Sequence, residues 1–239
     1  MTPRVYHFER VDSTMDLLHQ LAADGAEAGT AVLAGEQLGG RGSRGRSWHS
    51  PPGGLWLSVL FRPAAPGGVE IMSLLAGLAV AEALDDLVPR PVQLKWPNDL
   101  MLGERKVGGI LCEARWQGHR LGWVTVGVGM NVRNAVPEEL HAVATALASE
   151  RPAITVEDVA QPIVSALRML DLGADRLTPA EMKRFARRDW LSGRDIRAPA
   201  AGRVAGLRED GALLVCPAQG IEIPLRSGSV ELAAASPTR

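Results

Sequence analysis

Within ten residues, Gly39–Trp48, the chain places three guanidinium groups (Arg41, Arg44 and Arg46) among glycines and leads them directly into an indole. Arginines this close repel one another, and ordering them costs side-chain entropy. The stretch therefore reads as a solvated tip or as a loop that orders around an anion. Guanidinium forks donate in a bidentate geometry that suits phosphate. Trp48 adds a flat face on which an adenine or similar ring can stack. The glycine spacing is not that of a P-loop, and nothing places the segment before a helix. A connection this long in a compact domain favours a loop with a function.

Four further elements carry chemistry-bearing residues. Asp12-Ser13-Thr14 reads as a helix cap or as a ligand contact. In KWPNDL, 95–100, Lys95 closes a strand, Trp96-Pro97 sets an extended turn, and Asn98 and Asp99 follow. Pro-Asn-Asp is also an ordinary turn sequence. In KVGGILCE, 106–113, Lys106 opens an apolar strand that contains Gly108 and Gly109. GVGMN, 127–131, again alternates glycines along a strand and ends on Asn131. Glycines inside strands cost stability and mark close approach of something to the backbone. Together the elements suit a nucleotide phosphate beside a small buried molecule. No histidine base, paired nucleophile or Ser-His-Asp arrangement stands out, and electrostatic stabilisation of a phosphoryl transition state needs none.

The elements that must position these residues follow from apolar spacing. Strands are expected at 4–9, 30–37, 55–63, 92–97, 106–116 and 121–132, and helices at 11–25, 68–87, 155–173 and 179–190. LWLSVLFRP is apolar on both faces, as a central strand should be. Pro162 is expected to start or kink its helix. The last fifty residues hold four or five short strands broken by Gly, Pro and Asp, the pattern of a small β-barrel, with a boundary near residue 191. The final ASPTR reads as disordered. The class is α/β or α+β: a mixed sheet flanked by helices over 1–190, and a small barrel over 191–239.

Composition narrows the choices. A chain of 239 residues with net charge −1 offers no global attraction for nucleic acid, so any basic surface is local. The apolar run at 71–84 is too short to span a bilayer, and the first ten residues lack a signal-peptide core. Cys112 and Cys216 each lie in an apolar run and fit small buried hydrophobes of a reducing cytoplasm. The five histidines lack ligand spacing, which argues against a protein-bound transition metal.

The order DST, EQLGGRGSRGRSW, SPPGGLWLSV, KWPNDL, KVGGILCE and GVGMNV resembles the biotin–protein ligases, over about residues 5–132. The resemblance implies a class II synthetase-like catalytic domain with a C-terminal SH3-like barrel. It implies that ATP and biotin give biotinyl-5′-AMP and pyrophosphate, with Mg2+ assisting. A lysine of a biotin carboxyl carrier protein or domain then takes the biotin. By resemblance, Ser13, Thr14 and Gln37 hold the ureido end, with Gly40 and Arg41. Gly108, Gly109 and Gly127 line the slot, and Lys106 neutralises the carboxylate and phosphate. Arg44, Arg46, Trp48, Asn98 and Asn131 serve the nucleotide, and Asp99 positions groups or binds Mg2+. Lys106, Arg41 and Asp99 form the implied catalytic set.

Two departures from the family pattern stand out. Met15 occupies the place of an asparagine, and Ser43 that of a second arginine. Only a dozen residues precede the DST motif, so DNA binding is not expected; a homodimer is possible. A lipoate–protein ligase, a nucleic-acid-binding module using the arginine loop, and a catalytically lapsed relative are the alternatives.

Overall fold

A computed structural model describes residues 3–63, 71–171 and 173–233. A seven-stranded mixed sheet is built from β1 (Val5–Val11), β2 (Ala31–Gln37), β3 (Leu55–Phe61), β4 (Gln93–Lys95), β5 (Asp99–Leu102), β6 (Arg105–Gln117) and β7 (Arg120–Met130). Its order is β1-β2-β3-β7-β6-β5-β4. β1 and β2 run parallel, and the other neighbours are antiparallel.

β3 is buried at every residue, as its two apolar faces require. Its alternation feeds two layers. Leu55, Leu57, Val59 and Phe61 join the main core, whereas Leu60 packs on the opposite face with Leu18, Ala22, Val32 and Trp123. The main core is covered by α2 (Met72–Glu82) and α3 (Val156–Arg168). The other face carries α1 (Thr14–Ala23), with the Ser13 hydroxyl accepting from the Asp16 N–H as its N-cap. α2 is shorter than the helix expected over 68–87, and residues 68–70 of that range lie outside the described residues. Pro162 does not start α3 but lies inside it, where burial of Val159, Ile163, Val164 and Leu167 offsets the lost backbone bond. α4 (Pro179–Ala186) stops earlier than expected, and the turns after it bury Trp190.

KWPNDL is not the end of one strand. It forms a hairpin in which Lys95 of β4 pairs with Asp99 of β5 across the Trp96-Pro97-Asn98 turn. The expected C-terminal strands are β8 (Asp195–Ala198), β9 (Gly202–Leu207), β10 (Leu213–Cys216), β11 (Ile223–Leu225) and β12 (Glu231–Leu232), in an antiparallel sheet ordered β11-β10-β9-β8-β12. Its apolar residues Ile196, Val204, Leu213, Val215 and Val230 belong to the same cluster as the large sheet. The Trp96 indole N–H donates to the Gly211 carbonyl at 2.9 Å across that join. Cys216 departs from its expected burial: it ends β10 on the solvent side and is exposed. The terminal ASPTR lies outside the described residues. Among the described residues no helix is long and apolar enough to cross a membrane.

Candidate functional site

A cavity of about 520 Å³ opens among β5, β6, β7, the start of α1 and the arginine loop. Most of the sequence-derived candidates meet there. Ser13, Thr14, Gln37, Arg41, Arg46 and Trp48 line it, as do Asn98, Asp99, Lys106, Gly109, Gly127 and Asn131.

One part of the wall is a polar cluster. Gln37, at the end of β2, accepts through Oε1 from the Thr14 N–H at 2.9 Å and from its hydroxyl at 3.0 Å. Its amide donates to Ser50 Oγ at 3.0 Å, and Thr14 Oγ1 lies 2.8 Å from Ser58 Oγ. Ser13 caps α1, as one of its two sequence readings has it, and also lines the cavity.

The next part is floored by strand glycines. A Cβ on Gly127 would stand 2.8 Å from Met15 Sδ, so the thioether lies against bare backbone where an asparagine would offer hydrogen bonds. A Cβ on Gly129 would stand 2.7 Å from Trp48 Nε1. The glycine is therefore what lets the indole lie on β7. Trp48 Nε1 is buried and has no hydrogen-bond partner.

The cationic part surrounds Lys106. Its ammonium pairs with Asp99 Oδ1 and sits 5.0 Å from the centre of the Trp48 ring. Asn98 fixes the hairpin turn to β6 in both directions: its amide donates to the Ile110 carbonyl, and its own carbonyl accepts from the Ile110 N–H, each at 2.8 Å. Asn131 uses its side chain inside the protein, donating to the Thr145 carbonyl at 3.0 Å and accepting from Asn134 at 3.0 Å. Arg46 is folded back onto Ser43, through its carbonyl at 3.2 Å and its hydroxyl at 2.9 Å. The residue that replaces an arginine thus holds the neighbouring arginine.

Three candidates are not brought to the cavity. Arg44 is exposed at the loop tip, with φ 62°, and donates outward to Ser229 Oγ at 3.2 Å. Gly40 is buried within its own loop, where a Cβ would lie 2.4 Å from the Trp48 carbonyl. Gly108 faces the β7 backbone, 2.8 Å from the Gly129 carbonyl by the same measure. Both glycines serve chain packing, Gly40 through the tightness of its loop and Gly108 because alternate strand residues point to opposite faces.

The sequence reading passed over several residues that the fold gathers here. Lys95 lines the cavity half-buried, 5.4 Å from the Trp190 ring, and burial pushes its ammonium below the usual lysine range. Gly129 was visible in GVGMN but not singled out. Glu113 closes KVGGILCE but was not singled out, and Asp16 lies outside the motifs, yet both hold Arg41. Among the described residues no group of three or more His, Cys, Asp or Glu could hold a metal.

Fold and site together define an α/β domain able to hold an anion beside a slim organic ligand. A family model, the biotin/lipoate A/B protein ligase family, matches residues 7–131. The bifunctional ligase/repressor BirA of Bacillus subtilis is 32% identical, over 95% of this chain and 73% of its own length. The biotin–[acetyl-CoA-carboxylase] ligase of Paracoccus denitrificans is 38% identical over 53% of each chain. The biotin protein ligase of Aquifex aeolicus, solved with biotin and ATP, superposes with a TM-score of 0.80 at 27% identity, covering 97% of this chain and 99% of its own. The chain belongs to the biotin/lipoate A/B protein ligase family.

Proposed function

We propose that this chain is an ATP-dependent biotin–protein ligase. The observation that carries the reading is the continuity of the cavity: a Thr14–Gln37 polar cluster, a glycine-floored slot and Lys106 beneath Trp48 share one space. Biotin has a polar ureido ring, a thin apolar chain and a carboxylate in that order. The polar cluster would meet the ureido group, Gly109 and Gly127 the chain, and Lys106 the carboxylate.

Two anions must meet for the chemistry to proceed. A biotin carboxylate oxygen attacks the α-phosphorus of ATP, and the bond to the β-phosphate oxygen breaks, releasing pyrophosphate. Lys106 offsets the repulsion and the charge that builds on the phosphoryl oxygens. Trp48 covers the adenine. An acceptor amine then attacks the acyl carbon, AMP leaves, and the amine's proton passes to solvent. Asp99, with Asn98 beside it in the cavity lining, would be the residues to hold a Mg2+, and such an ion would supply charge neutralisation there. The acceptor in this reading is the lysine of a biotin carboxyl carrier domain in the cytoplasm. The small C-terminal sheet, from about residue 191, is read as an SH3-like module.

A lipoate ligase is the second reading, because the family spans both. Lipoate's dithiolane offers nothing to the hydrogen-bonding Thr14–Gln37 cluster, which favours biotin. The deciding experiment is transfer of biotin or lipoate to a carrier domain with ATP. Biotin transfer alone is expected; lipoate transfer alone would reverse the assignment.

Two variants probe the anion cluster. Lys95→Met removes a half-buried cation that has no ion-pair partner among the described residues. It is expected to raise the KM for ATP roughly tenfold, the effect of losing a charge-assisted contact, while KM for biotin stays put. Equal changes in both constants would show that Lys95 has no selective role. Ser43→Arg restores a guanidinium at the departure position and is expected to slow release of biotinyl-AMP, read by filtration of the pre-formed intermediate. Equal retention by wild type and variant would mean that Arg46 already does this job.

A further inference from the structure

Arg41 is tied to two carboxylates that the family resemblance does not assign. Nη1 donates to Asp16 Oδ2 on α1 at 2.5 Å, and Nη2 donates to Glu113 Oε1 on β6 at 3.2 Å. The two posts differ in kind. The Asp16 carboxylate is half exposed, and exposed pairs contribute little. Glu113 is mostly buried and is held from behind. Its Oε2 accepts from His19 Nε2 at 3.0 Å and from Arg115 Nη2 at 3.3 Å.

The histidine is itself oriented. The Trp123 indole N–H can only donate, and it points at His19 Nδ1 at 2.9 Å. Nδ1 is therefore the bare nitrogen, and Nε2 carries the hydrogen that faces Glu113 and Thr125 Oγ1. Burial holds His19 below the usual imidazole range and so favours this neutral form. Trp123, His19 and Glu113 make a directed chain of hydrogen bonds that ends on Arg41. Beyond Arg41 the loop closes on itself, through the Gly42 N–H to the Arg46 carbonyl at 2.7 Å and the Trp48 N–H to the Gly40 carbonyl at 2.9 Å. Fixing Arg41 therefore fixes the turn that carries Arg46 and Trp48 over the cavity.

We propose that Glu113 is a positioning residue that latches the 40–48 loop through Arg41, with His19 and Trp123 setting the angle of its carboxylate. Two carboxylates compensate the Arg41 charge, so Arg41 acts as a tie, and Arg46 with the lysines supplies the field for anions. The latch is a contact in its own right; only what it covers rests on the ligase reading.

Limited trypsin cleavage after Arg41, Arg44 and Arg46 reads loop opening without any enzymatic activity. Because such cleavage tracks the open population, Glu113→Ala is expected to be cut about tenfold faster than wild type at an unchanged melting temperature. Glu113→Gln keeps the shape but has a single acceptor oxygen, so it cannot serve Arg41 and His19 at once; it should be cut at a rate between wild type and Glu113→Ala, and it carries the test if the alanine variant fails to fold. In the ligase assay Glu113→Ala should raise the KM for ATP with kcat little changed. Adding it to Arg41→Ala should cost less than about twofold more, because both break one link. Unchanged cleavage, or full additivity with Arg41→Ala, would overturn the latch. Faster cleavage in a protein whose wild type makes no biotinyl-AMP would uphold the latch and overturn the ligase reading instead.

Discussion

Lys106→Ala is expected to lower biotin-dependent ATP–pyrophosphate exchange by roughly 10²–10³-fold, the usual effect of removing one preorganised charge from a developing oxyanion. The ammonium lies between Asp99 and the Trp48 ring, at the entrance to a strand whose Gly109 lines the same cavity. Its loss removes the charge that draws carboxylate and phosphate together, and it also leaves Asp99 uncompensated where both anions must approach. The fold does not depend on it, since its side chain is partly exposed. The melting temperature should therefore move little. Exchange near the wild-type rate would remove Lys106 from the mechanism while leaving the ligase assignment intact; absence of exchange in the wild type would remove the assignment itself.

Gly129→Val should raise the KM for ATP by about 10–100-fold, matching the roughly 1–3 kcal/mol that one base–aromatic stack contributes. The added Cβ would lie 2.7 Å from Trp48 Nε1 and 3.0 Å from Cε2, closer than any real contact of that kind. The ring cannot slide away along the strand, because its backbone N–H is bonded to the Gly40 carbonyl. It must rotate off β7 and lose its place above Lys106. Gly127 differs, since the atom it faces is the end of a flexible methionine. The measurement is the ATP dependence of exchange in Gly129→Val, Trp48→Ala and the double variant. The double variant should be no worse than Trp48→Ala; an additive loss would mean that Gly129 acts through something other than the indole.

Much of this site could be read from residue order. The five motifs identified the resemblance, and Ser13 caps α1 as its position before an apolar helical repeat suggested. Lys106 and Asp99, seven residues apart, meet because a short antiparallel hairpin and its neighbouring strand fold back within that span. Local chemistry also explains the full burial of β3.

What the sequence alone could not reveal depends on long separations or on facing. Arg41 reaches Asp16 and Glu113 across 25 and 72 residues, and no spacing rule links such positions. Arg44 and Arg46 looked equivalent in GRGSRGR, but a left-handed residue at the tip turns one outward and leaves the other at the cavity. Gly108 and Gly109 looked alike for the same reason, and strand alternation gave the cavity only to Gly109. The small C-terminal sheet read as a separate unit, yet its apolar residues complete the core of the large one. The sequence by itself determined which chemical groups are present and which family they place the chain in, because residue types and short spacings are covalently set. Only the tertiary structure decided which of the three arginines lies at the cavity without a carboxylate partner among the described residues and which is tied to two, because that depends on carboxylates brought in from α1 and β6 when the sheet assembles.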